Sequence, residues 1–230
     1  SARREDKLED IKATLKGEGH IVIPCDASDT KSMAAALETI LTHFPSLDSA
    51  LFMAVTYKPH DGERTPLPDI QKMWDVNVMG AFTMIDLVVP YFEPQGQGQV
   101  VLCAYVAGYR GLPTGQPYCA TKAALINLAE SLKVEMEPKN IDVKVICPGF
   151  VKTPLTAKNK FTMPMIIEAD AAAREIAKGL CSNQFEIHFP KRFTYIMKAI
   201  HLLPNRLYFM IARRLMNQNR GKEFPVSESH

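Results

Sequence analysis

Tyr118 and Lys122 stand four residues apart in the run Tyr118-Cys119-Ala120-Thr121-Lys122, directly after Pro117. Proline suits the opening turn of a helix. Residues at i and i+4 share a helix face, so the phenol and the ammonium are expected side by side. A cation beside a phenol favours the phenolate and draws a pKa of about 10 toward the pH at which the hydroxyl trades protons. Such a pair suits general acid–base work on a carbonyl or an alcohol. The same spacing also arises where an aromatic packs under a solvated lysine, so the surroundings of the pair decide between the two.

Those surroundings alternate strand with helix, the pattern of a mostly parallel sheet covered on both faces. A charged helix is expected from Glu5 to Lys16, a strand over His20 to Pro24 and a helix from Thr30 to His43. Strand follows at Ser49 to Ala54, then one long helix from Pro68 to Phe92 and strand from Gln99 to Ala104. The Tyr118 helix runs to about Glu137, before a strand at Ile141 to Cys147, a helix at Asp170 to Leu180 and a last strand at Phe185 to Phe189. The 230 residues are 47% hydrophobic and 23% charged, the balance of a globular chain with an ample core. Five cysteines without metal-ligand spacing point to reduced thiols in a cytoplasmic setting and to no metal. No apolar run in the sequence reads as a membrane span.

Five further segments, in order around Tyr118, resemble the short-chain dehydrogenase/reductase family from residue 1 to about residue 190. Ala2-Arg3-Arg4 is similar to the end of the family's second strand, and Cys25-Asp26-Ala27 to the adenine-binding corner after its third. Trp74-Asp75-Val76-Asn77 resembles the helix that carries a bracing asparagine. Val106-Ala107-Gly108 matches the segment after the catalytic serine, and Pro148-Gly149-Phe150-Val151-Lys152-Thr153 the loop that holds the nicotinamide.

The resemblance implies a doubly wound, Rossmann-like α/β domain over 1–190 whose ligands sit beyond the carboxyl ends of the strands. It also implies roles. Tyr118 would be general acid in reduction and general base in oxidation; Lys122 would lower its pKa and hold the nicotinamide ribose; Asn77 would position a water that relays the proton. Val151 and Thr153 would anchor the carboxamide, Ala54 would sit against the cofactor, and Asp26 with Ala27 would meet the adenine. An Asp26 followed by Ser28 and Asp29 serves equally as a turn former. Arg3 and Arg4 suit the 2′-phosphate of NADP(H), where an acidic residue would suit NAD.

Three departures weigh against that picture. The serine position, thirteen residues before Tyr118, holds Tyr105. Phe52-Met53-Ala54-Val55 keeps only the alanine of the family's Asn-Asn-Ala-Gly. The sequence opens where the family's second strand should be ending, so the first strand, the Gly-rich turn that cradles the pyrophosphate and the first helix are absent from it, and it reads as a piece of a longer chain or one whose N-terminal unit is missing. The alternative reading is therefore a non-catalytic protein of this fold that serves as a membrane-associated or interaction subunit.

Two regions speak to partners. Leu155 to Ile167, with Phe161, Met163, Met165 and Ile166, is expected to form an apolar lid suited to a small hydrophobic or lipid-like substrate. The region 191–230 is expected to form basic amphipathic helices and a tail. From Lys191 to Lys222 there are eight Lys/Arg and no Asp or Glu, which leaves 19 basic against 25 acidic residues elsewhere. Such helices lie on anionic membrane surfaces, here the inner one, or dock on the body or on a second copy in a homo-oligomer. No nucleic-acid reading motif accompanies the charge.

Overall fold

The computed structural model describes residues 1–58, 65–159 and 163–223. Four parallel strands lie in chain order, β1 (Ser49–Phe52), β2 (Gly98–Cys103), β3 (Ile141–Pro148) and β4 (Glu186–Phe189). Val100 of β2 pairs with Ala50 of β1 and Val143 of β3, and Ile146 of β3 pairs with Ile187 of β4. Val100, Val101 and Leu102 of β2 and Val143, Val145 and Ile146 of β3 are all buried, as expected of strands covered on both faces. Buried with them is Lys144, whose ammonium donates to the carbonyls of Ser182 and Gln184 and pairs with Asp142.

The helices are α1 (Glu5–Lys12), α2 (Thr30–His43), α3 (Leu67–Trp74), α4 (Gly80–Gln95), α5 (Tyr118–Met136), α6 (Ala169–Leu180), α7 (Lys191–His201) and α8 (Asn205–Glu223). Asp29 caps α2 by accepting from the Lys31 N–H at 2.9 Å. The expected long helix is a composite, because a π-turn over Asp75–Met79 separates α3 from α4 and centres on Asn77. The stretch Leu67–Gln95 is long and apolar enough to cross a membrane, yet Met73, Val78, Ala81, Met84, Val88 and Phe92 are buried in the body. It is a core helix. Gly80 opens α4 where any Cβ would come within 2.5 Å of the Ala27 carbonyl and 2.9 Å of Phe52.

The expected strand at His20 to Pro24 does not form. Its trace is one parallel bridge, Ala2 to Pro24, with Cys25 N–H donating to the Ala2 carbonyl at 3.0 Å. The reason is the missing neighbour: a groove of about 550 Å³ lined by Ile21, Ile23, Phe44 and Leu47 separates this segment from β1. Among the described residues, β1 pairs only with β2. The first helix also stops at Lys12, before the Gly17 and Gly19 turn, rather than at Lys16.

The basic helices pack on the body through one face. Phe193, Thr194 and Met197 of α7 and Tyr208 and Ala212 of α8 are buried. Glu186 of β4 accepts from both the Lys198 ammonium and the Tyr109 hydroxyl. Arg110 clasps the elbow between the helices, donating to the carbonyls of His201 at 2.6 Å and Leu203 at 2.9 Å and to Asn205 Oδ1 at 2.7 Å. Its guanidinium lies 4.3 Å from the Tyr208 ring centre.

Candidate active site

A cavity of about 450 Å³ opens beyond the carboxyl ends of all four strands, reached by Met53 and Val55 after β1, Cys103 of β2, Pro148 of β3 and Phe189 of β4. Of the residues singled out in the sequence, Tyr105, Tyr118, Lys122, Val151 and Thr153 line it. Arg3, Arg4, Asp26, Ala27, Ala54 and Asn77 do not.

Tyr118 is the first residue of α5 and Lys122 lies one turn on, so the helix brings the pair to one face as its spacing dictates. Among the described residues the ammonium makes no hydrogen bond to the phenol oxygen. Lys122 is buried and donates to the Cys103 carbonyl at 2.7 Å, at the end of β2, while Nζ stands 5.7 Å from the Tyr118 ring centre. Burial pushes the phenol well above its ordinary range, and neighbouring Tyr105, Cys103, Cys119 and Tyr57 add to the rise. Burial also lowers the Lys122 pKa. Among the described residues the Tyr118 hydroxyl has no hydrogen-bond partner.

Tyr105 follows β2 and precedes a short 3₁₀ turn over Val106–Gly108. Its ring meets those of Tyr118 and Phe150 edge-on, each at 6.0 Å between centres. Burial raises its phenol as well. The turn presses on α5: a Cβ on Gly108 would lie 2.7 Å from the backbone carbon and oxygen of Lys122. That contact fixes the spacing between the serine-position residue and the Tyr118 helix.

Asn77 is fully buried and acts as a brace. Its Oδ1 accepts from the Thr56 N–H at 2.7 Å, and its Nδ2 donates to the Thr56 carbonyl at 3.0 Å and to Thr121 Oγ1 at 3.2 Å. One side chain thus ties the loop after β1 to α5. Both its N–H donors are committed, so the side chain has no donor left for a water.

The adenine side is a turn. Asp26 Oδ1 accepts from the backbone N–H of Ser28 at 2.9 Å and from its hydroxyl at 2.7 Å. Those bonds hold the Asp26 carboxyl below the usual range, with smaller help from Arg3 and Lys72. Arg3 and Arg4 are exposed, and Arg4 stands at the start of α1. Val151 bridges Ile167, and the Thr153 and Thr156 hydroxyls meet at 3.2 Å.

The expected lid is only partly over the cavity. Leu155 and Asn159 line it, whereas Met165 and Ile166 are exposed, and Phe161 falls outside the described residues. Asn159 Nδ2 donates to Met163 Sδ at 3.4 Å, while its buried Oδ1 has no partner among the described residues. The apolar cover comes from elsewhere. Tyr57, which lines the cavity, meets Tyr118 tilted at 59° with 5.0 Å between ring centres, and Phe193 of α7 backs the lining residue Phe150 at 5.6 Å. Neither was visible in the sequence, because an aromatic in a loop and one in a basic helix carry no local mark of a common site.

These features agree with the comparisons to known proteins. The short chain dehydrogenase family model matches residues 1–163. An uncharacterized oxidoreductase of Myxococcus xanthus is 30% identical over 94% of this chain and 86% of its own. Human 17-beta-hydroxysteroid dehydrogenase 13 is 24% identical over 89% of this chain and 68% of its own. Among solved structures, the 3-ketoacyl-(acyl-carrier-protein) reductase of Brucella melitensis, complexed with NADH, superposes with a TM-score of 0.73 at 23% identity, covering 81% of this chain and 83% of that one. The fold is a Rossmann-like α/β architecture with its cavity at the carboxyl ends of the strands. The chain belongs to the short-chain dehydrogenase/reductase family.

Proposed function

We propose that this chain interconverts a carbonyl and an alcohol on a small hydrophobic substrate, with NADP(H) preferred over NAD(H). The observation that carries the reading is the Tyr118 hydroxyl, unpartnered among the described residues at the wall of a 450 Å³ cavity, with Lys122 one turn along the same helix. Leu112, Phe150 and Leu155 make the lining apolar. The human relative is named for hydroxysteroids, which agrees with a bulky apolar substrate.

The residues at the nicotinamide end fit such a cofactor. Lys122 retains N–H donors beyond the one given to Cys103, enough for a ribose hydroxyl. Val151 and Thr153 border the same cavity for the carboxamide. The pyrophosphate end fits less well, because the described residues contain no Gly-rich turn after a strand. When bound, the reduced cofactor supplies a hydride to the carbonyl carbon. Tyr118 gives its proton to the carbonyl oxygen, so that the alcohol forms with both hydrogens accounted for; the reverse step returns them. Burial raises the phenol, so at neutral pH it holds the proton that reduction of the carbonyl consumes. Arg3 and Arg4, exposed beside the Asp26 turn, would take the 2′-phosphate. A cytoplasmic setting accords with five free cysteines.

The test is fluorescence titration of NADPH and NADH, with turnover measured on a panel of apolar aldehydes and ketones. NADPH should bind more tightly by about 1.5–3 kcal/mol per charge-assisted contact, and Tyr118→Phe should abolish turnover. Equal affinities would remove the role given to the arginines.

A second reading, a non-catalytic member acting through interactions, is favoured by Tyr105. Its ring occupies the serine position and packs between Tyr118 and Phe150. Tyr105→Ser restores a short donor, worth about 100- to 1,000-fold in rate where such a donor matters. A gain of that size, lost again with Tyr118→Phe, supports the enzyme; zero turnover with NADPH still bound supports the interaction protein.

A further inference from the structure

The helix pair α7–α8 is docked by its inner face, which sets what its outer face presents. Tyr195, Ala199 and Leu202 recur at i, i+4 and i+7 on α7, and Arg206, Met210 and Arg213 do so on α8. All six are exposed. Leu202 at the elbow is 82% exposed, and Phe209 and Met210 are each 50% exposed. Large apolar side chains grouped on an outer face mark a contact surface rather than a solvated one.

The charge on the same face is of one sign. Lys191, Arg192, Arg206, Arg213 and Arg214 are exposed, and among the described residues none forms an ion pair. Lys198, the basic residue turned inward, is the one that finds a carboxylate, Glu186. No Asp or Glu occurs between Lys191 and Lys222. The occupant must therefore be both anionic and able to receive apolar side chains. A second copy related by a two-fold axis would set this basic face against itself. A nucleic acid would leave Leu202, Phe209 and Met210 without a partner.

We propose that the outer face of α7–α8 docks on an anionic lipid surface, with Leu202, Phe209 and Met210 entering the headgroup–acyl boundary and the arginines meeting lipid phosphates. The inner face then ties the membrane to the site. Tyr208 donates to the Gly111 carbonyl, and the cavity wall begins at the next residue, Leu112. Docking in this way holds the body that carries the cavity close to the phase in which an apolar substrate is concentrated. The docking stands or falls independently of the oxidoreductase reading, because its test measures lipid binding alone.

The test is co-sedimentation of the full chain with vesicles of phosphatidylcholine, with and without phosphatidylglycerol, at low and high salt. The chain should sediment with the mixed vesicles at low salt and be released by high salt. Arg206→Gln and Arg213→Gln should weaken binding about fivefold each, the equivalent of about 1 kcal/mol per basic residue. Leu202→Ser should weaken it at every salt concentration. These positions are exposed, so unchanged thermal melts will verify that each variant is folded. No sedimentation with mixed vesicles at low salt overturns the proposal, as does equal binding to phosphatidylcholine alone with no effect of the arginine variants. A dimer on gel filtration that the same variants dissociate, without lipid binding, assigns the face to a second copy instead.

Discussion

Lys122 donates its ammonium N–H to the Cys103 carbonyl at 2.7 Å, with Nζ 5.7 Å from the ring centre of Tyr118 and no hydrogen bond to the phenol among the described residues. The lysine that the sequence places beside the phenol also anchors the end of β2, and burial raises the Tyr118 phenol.

That geometry sets a pH dependence. Burial raises the phenols of Tyr118, Tyr105 and Tyr57, so the folded state holds these protons more tightly than the unfolded chain does. The stabilisation is fully present below the unfolded value of about 10 and is lost as pH rises toward the folded values. Above about pH 10 each such group should steepen the fall in stability by about 1.4 kcal/mol per pH unit. Urea unfolding across this range should give a shallower fall for Tyr118→Phe than for the natural chain. An identical slope would contradict the buried, protonated phenol.

Gly108→Ala should destabilise the protein by about 1–3 kcal/mol, the usual cost of overpacking. The added Cβ meets backbone, not a movable side-chain tip, at 2.7 Å from Lys122. Because it pushes the 3₁₀ turn away from α5, the same change should lower kcat more than it raises KM. Denaturant midpoints together with steady-state kinetics check both parts.

Asn77→Ala removes the partner of three groups at once: the Thr56 N–H, the Thr56 carbonyl and Thr121 Oγ1. Leaving buried polar groups unsatisfied costs about 1–3 kcal/mol each. The loss should therefore exceed that of a single-contact substitution. Hydrogen exchange should rise in the loop after β1 and at the start of α5, and not in α6.

Glu186 joins β4 to α7 and to Tyr109. Burial opposes its ionisation, but hydrogen bonds from Lys198 and Tyr109 outweigh that and hold the carboxyl below its ordinary range. Its contribution is present above about pH 4.3 and disappears as pH falls through the folded value. In Glu186→Gln, α7 should exchange its amide protons faster at neutral pH, and the acid-induced loosening of the natural chain should be reduced. Unchanged exchange in α7 would mean that Phe193 and Met197 alone hold the helix.

The sequence by itself determined what is local. A helix closes its own hydrogen bonds, so the spacing of Tyr118 and Lys122 was enough to put them on one face, and the apolar runs of β2 and β3 were enough to mark buried parallel strands. Tertiary structure decided everything that needs a distant partner. His20 to Pro24 has the composition of a strand but, among the described residues, has no neighbouring strand to pair with, and only the Ala2–Pro24 bridge forms. Lys122 chose a carbonyl 19 residues away over the phenol on its own helix. The aromatic wall came from Tyr57, with Phe193 behind Phe150, while Met165 and Ile166, apolar residues at the expected lid, face solvent. The basic helices were legible as amphipathic, but which face docks and which is left open depended on Glu186 and Arg110, residues of other elements. Strand pairing, ring contacts and the choice of a hydrogen-bond acceptor depend on groups far apart in the chain, and local residue pattern carries no record of them.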